Sequence, residues 1–106
     1  MATIGGCVVL TATPGATVTL TLDVTAQQML AIWTAGENET INLSGTQKQG
    51  QTLTLMVTDD AVIRTLTFGT GFSSSGTVVG TALKRSTNLF QSDGTNFVEL
   101  SRTLGL

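Results

Sequence analysis

At 106 residues the chain has the length of one domain, and only 11% of it is Asp, Glu, Lys or Arg, against about a quarter in ordinary soluble domains. It has no histidine and no tyrosine, which excludes a Ser-His-Asp or Cys-His arrangement and removes the commonest metal ligand. The net charge of −2, with Arg64, Arg102 and the Lys84-Arg85 pair scattered, leaves no basic track for nucleic acid, and no run of ~20 apolar residues is present to span a membrane.

A mean hydropathy of +0.29 with so little charge implies surface hidden against copies of the chain or against a partner. The single cysteine, Cys7, allows no intrachain disulfide; beside Val8 and Val9 it reads as a small buried hydrophobe. The run from Ile4 to Cys7 has neither a basic start nor an apolar segment before it, so no lipoprotein or export signal is expected.

Threonine supplies 21 residues, most of them alternating with Val, Leu, Ile or Phe, the period-two pattern of half-buried strands. Residues 1–12 read as an N-terminal arm or first strand, and residues 13–106 as the β-sandwich domain. Pro14-Gly15 is the first turn. Residues 16–24 follow, with Val18, Leu20, Leu22 and Val24 on one face and Thr17, Thr19, Thr21 and Asp23 on the other. Residues 25–35 place Met29, Leu30 and Trp33 at a helix-like spacing, but a strand paired with residues 39–45 is the favoured reading.

Thr46–Gly50 turns the chain into residues 51–59, with Leu53, Leu55 and Val57 inward. Thr58-Asp59-Asp60 reads as a hairpin tip before residues 62–68, where Ile63 or Arg64 chooses the face. Residues 69–76 are a loop and residues 76–82 a short strand. In the last strand Phe97, Glu99 and Ser101 oppose Val98 and Leu100. Short strands at this spacing predict an all-β fold, a single-domain antiparallel β-sandwich or barrel, jelly-roll-like, of about eight strands.

Chemistry is scarce. Glu37 with Glu39 and Asp59 with Asp60 are local carboxylate pairs, but a two-carboxylate hydrolase needs a cleft with aromatic platforms. Trp33 is the lone tryptophan, and Phe68, Phe72, Phe90 and Phe97 read as core or interface. Residues 58–60 and 92–96 offer oxygens to calcium without the spacing of an EF-hand loop, and their Asp and Asn side chains suit turns. Residues 69–76 contain glycines but no lysine, so no nucleotide cradle is expected. No catalytic residue, metal or cofactor is expected, and the chain does not read as an enzyme. The threonine faces lack the Lys and Glu that usually guard solvated sheets, which again favours assembly.

The second half carries a resemblance. Its elements are Gly50, Gln51, Leu53 and Leu55; the acidic turn Asp59-Asp60; Arg64, Leu66 and Phe68; and the terminal hairpin Asp93-Gly94-Thr95-Asn96-Phe97. In that order they resemble a small all-β module of bacteriophage virion proteins, over roughly residues 16–103. The resemblance implies a capsid decoration (cement) protein, a homotrimer bound to the major capsid protein on the virion surface after synthesis in the host cytoplasm. It also implies that Asp93-Gly94 is a hairpin tip rather than a ligand loop. The interface is expected to draw on the threonine faces and Phe97, with residues 1–12 reaching along the capsid or to a neighbour's sheet edge. The alternative is a tail or head fibre receptor-binding module contacting host glycan through residues 34–40 and 69–76. It ranks second because the chain has no heptads or stalk.

Overall fold

The computed structural model describes residues 3–4 and 7–106. Eleven strands and no helix occur among the described residues: β1 (Thr3–Ile4), β2 (Cys7–Val9), β3 (Thr17–Thr21), β4 (Gln28–Ala35), β5 (Glu39–Ser44), β6 (Thr52–Asp59), β7 (Thr65–Phe68), β8 (Phe72–Ser73), β9 (Val78–Val79), β10 (Arg85–Ser92) and β11 (Phe97–Thr103). Residues 1–12, expected as an arm or first strand, thus hold β1 and β2, and the buried Val8 and Leu10 tie this segment into the core. Met1, Ala2, Gly5 and Gly6 lie outside the described residues.

The fold is all-β, but it is not the antiparallel sandwich or barrel expected. The chain alternates between a seven-stranded sheet, ordered β1-β2-β4-β6-β10-β11-β8, and a four-stranded sheet, ordered β3-β5-β7-β9. β2, β4 and β6 are mutually parallel, and so are β3, β5 and β7. Three successive coils therefore stack like a short solenoid. Residues 25–35 do form a strand, yet β4 does not pair with β5: it lies between β2 and β6, while β5 lies between β3 and β7. Thr58-Asp59-Asp60 is likewise no hairpin tip. Asp59 ends β6, and the chain then crosses to β7 in the other sheet.

The physical reason is that alternation fixes which face a side chain takes, not which strand lies alongside. Stacked coils satisfy the pattern by setting inward residues over one another. Val18 lies beside Ile41 and Ile41 beside Phe68; Met29, Ala31 and Trp33 lie beside Leu53, Leu55 and Val57. All of these except Phe68 are buried. At about 25 cal/mol per Å² of apolar area removed from water, these stacked pairs supply the main drive for the parallel arrangement.

After β7 the pattern reverses. β9 runs antiparallel to β7, and β10 antiparallel to β6. β10 and β11 form the antiparallel hairpin expected at residues 92–95, and Gly94 holds the positive φ of 97° that its tight turn needs. Phe90 and Phe97 are fully buried. The rings of Phe68, Phe72 and Phe90 sit 4.9–5.2 Å apart in tilted and edge contacts, closing the core under the hairpin. Phe97 therefore belongs to the core and is not available to an interface. Val24, expected inward, is 38% exposed, because β3 ends at Thr21 and the chain turns away at Asp23.

Candidate functional site

The carboxylates are the first candidates for chemistry, and the fold commits three of them to structural bonds. Glu37 is exposed, whereas Glu39 is buried. The Trp33 indole Nε1–H donates to Glu39 Oε1 at 2.7 Å, and the Gly15 N–H donates to its Oε2 at 3.2 Å. Glu39 is thus spent on tying together two of the arcs that cross between the sheets. Asp59 is also buried and accepts the Arg64 backbone N–H at 2.8 Å. Asp60 forms a two-point ion pair with Arg64, at 2.9 Å from Nε and 2.8 Å from Nη2. The Arg64 hydrogen bond, followed by the Val62 N–H, holds the Asp60 carboxyl below its ordinary range.

Gln51 closes the opposite end of the coils. Its buried amide donates to the carbonyls of Asp23 at 2.9 Å and Ala26 at 2.7 Å, and its Oε1 accepts the Lys48 N–H at 2.8 Å. At the hairpin, Asp93 Oδ1 accepts the N–H groups of Thr95 and Asn96 at 2.9 and 2.8 Å. The Asn96 N–H, then that of Thr95, lowers the Asp93 carboxyl from its ordinary value. This aspartate caps its own turn. Among the described residues no three His, Cys, Asp or Glu side chains converge as a metal site.

A polar cluster that the sequence did not disclose lies between β10 and β11. Arg102 donates to Glu99 through Nε at 2.9 Å and Nη2 at 2.7 Å, and Asn88 Nδ2 and the Ser75 N–H add bonds of 2.8 Å each. Arg102 also donates to the carbonyls of Gly76 and Thr77, so the cluster clamps the loop after β8 onto the hairpin. Burial pushes the Glu99 carboxyl up, but the Arg102, Ser75 and Asn88 hydrogen bonds outweigh it and leave the group below its ordinary value. The buried Ser86 hydroxyl and Asn88 Oδ1 have no hydrogen-bond partner among the described residues.

The larger sheet also presents a broad, nearly uncharged surface. Alternation along β4, β6 and β10 directs twelve side chains to the outer face of the larger sheet. Register lines them up in four rows: Gln28–Thr52–Gln91, Leu30–Thr54–Leu89, Ile32–Met56–Thr87 and Thr34–Thr58–Arg85. Only Arg85 is charged, where ordinary composition would place about three charges. Ile32 is 47% exposed, and Val9, beside Leu30, is 46% exposed. A shallow groove of about 410 Å³ runs across this face, lined in part by Cys7, Gln28, Leu30, Thr54, Met56 and Leu89. Cys7 is thus only half-buried rather than a core residue. The arrangement offers apolar contact and neutral hydrogen bonding to a flat partner. No family model, curated protein or solved structure matches the chain.

Proposed function

We propose that the protein is a structural component of a bacteriophage virion, a decoration protein that docks on the outer surface of the head and stabilises the shell. The observation that carries this reading is the outer face of β4, β6 and β10, twelve side chains with a single charge at one corner. A free monomer gains nothing from such a face, whereas a flat neighbour would cover Leu30, Ile32, Met56 and Leu89. The order of sequence elements from Gly50 to Phe97 supports the virion assignment.

The partner is the major capsid protein, and the mechanism is mass action. A protein that binds the assembled shell and not its dissociated subunits favours the shell by RT ln(1 + [L]/Kd), about 2.7 kcal/mol when it is present at 100 times its Kd. No residue of the chain is asked to do chemistry.

Immunogold labelling of purified particles from the source culture, with antibody raised against the folded protein, tests the proposal. Gold over the heads is the expected result. Gold confined to tails or fibre tips would transfer the docking face to receptor binding, and unlabelled particles would end the virion reading.

A further inference from the structure

The described residues leave four open sheet edges. Three are two-residue strands, namely β1 and β8 in the larger sheet and β9 in the smaller, and shortness is one way in which proteins blunt an edge. The fourth, β3, has five residues and no charge or proline. Leu22 N–H donates to Ser44 O, and Thr40 N–H donates to Ala16 O, at 2.9 Å each. The even-numbered residues therefore bond β5, and Thr17, Thr19 and Thr21 direct their N–H and C=O groups to the open side. Next to this edge is a groove of about 530 Å³, lined in part by Val9, Leu10, Leu22 and Val24, with Asp23 as its one charged residue.

The two sheets stop at different heights at this end. β2 and β3 form the first coil, but β1 carries the larger sheet one strand further while the smaller sheet stops at β3. One end of the stack thus has a one-strand overhang on one side and a one-strand notch on the other. A two-fold axis parallel to the strands exchanges the two sides. It seats the overhang of each copy in the notch of the other and keeps every outer face outward.

We propose that the protein forms a two-fold dimer through this end, with β1 of the partner copy completing the smaller sheet beside β3. Strand direction agrees. β1 is antiparallel to β2, and the crossing from sheet to sheet reverses the chain, so the incoming strand runs parallel to β3, as β5 does on its other side. Whichever of the 36, 27 and 22 Å extents runs along the stack, the end face is no smaller than 27 × 22 Å. That is about 500 Å² per copy, so the pair reaches the ~1,000 Å² expected of a specific interface. The occupant is a second copy because overhang and notch are self-complementary under that one operation, as an isologous contact requires. The dimer does not rest on the capsid reading, and it departs from the trimer that the resemblance implies.

Sedimentation equilibrium of the full chain, from micromolar to sub-millimolar concentration, tests it. The expected mass is twice the 11.0 kDa of the monomer. Thr19→Lys places a charge on the open edge without touching the β5 ladder, and deletion of residues 1–4 removes the overhang. Each is expected to weaken the dimer on the order of 100-fold, with the circular dichroism spectrum retained. Ile32→Lys, on the outer face, leaves the dimer intact. A wild-type monomer, a wild-type trimer, or a dimer that survives either the Thr19 variant or the deletion would overturn the proposal.

Discussion

The stacked coils from β2 to β7 and the closing segment from β8 to β11 are built on different physics. In the coils, parallel strands repeat one arrangement, and apolar residues lie over apolar residues, with the buried side chains of Gln51, Glu39 and Asp59 latching the arcs. In the closing segment, strands of two to eight residues change direction, and the order comes from Phe72 and Phe90, packed on each other and on Phe68 of β7, and from the Glu99–Arg102 cluster. Periodicity suffices where each layer is a template for the next. Ending the stack requires particular side chains in particular places.

The largest effect that sharpens this contrast is a cavity in the coils. Leu55→Ala, at a site 1% exposed, is expected to cost about 3–5 kcal/mol, read as a lower urea midpoint with unchanged m-value. If the coils are held mainly by backbone ladders rather than by stacked apolar pairs, the loss will be far smaller. Gln51→Ala comes next. It leaves the Asp23 and Ala26 carbonyls without their partner and is expected to cost about 2–3 kcal/mol, with hydrogen exchange accelerating at the arc between β3 and β4.

Arg102→Met attacks the closing segment alone. Glu99 has a side-chain exposure of 3% and Arg102 of 24%. Leaving the carboxylate unpaired is expected to cost about 2 kcal/mol, below the 3–5 of a fully buried pair because Arg102 meets solvent. Exchange should rise in residues 69–80 and stay protected in β4 and β6. Equal acceleration in both regions would show that the two parts unfold as one.

Acid acts on the same cluster with a smaller effect. The folded value of Glu99 lies below its ordinary 4.5. Its contribution is therefore present above that value and is lost as pH falls through the lower folded value. Urea midpoints at neutral and acidic pH are expected to fall only in the acid range, and Glu99→Gln should flatten that fall. Smallest of all is Ile32→Lys, expected to change stability by less than about 0.5 kcal/mol; if the proposed docking face is right, the same variant abolishes capsid binding in a co-sedimentation assay.

Alternation made Val18, Leu20, Leu53, Leu55 and Val57 legible as inward residues, because facing is a local property of a strand. Partner choice is not local, so the sequence favours pairing residues 25–35 with 39–45, whereas the fold sets β4 and β5 in different sheets. Glu39 and Gln51 were hidden for a related reason. Each bonds backbone 24–28 residues away, and nothing at positions 15, 23 or 26 announces it. The Glu99–Arg102 pair was hidden by a bulge. Leu89 pairs with Ser101 and Phe90 with Glu99, which leaves Leu100 unmatched and 56% exposed. One extra residue reverses the alternation beyond it, and so brings together two side chains that a regular strand would send to opposite faces.

The ladder of the larger sheet also gives the molecule a mechanical grain. Its interstrand hydrogen bonds run across the strands, from one coil to the next, and each coil touches only its neighbours. A pull across the strands loads every boundary in series, and the weakest one opens first. A pull along the strands shears every bond of a boundary together. A shell under internal pressure would meet strong resistance only if the strands lay along the direction of stretch.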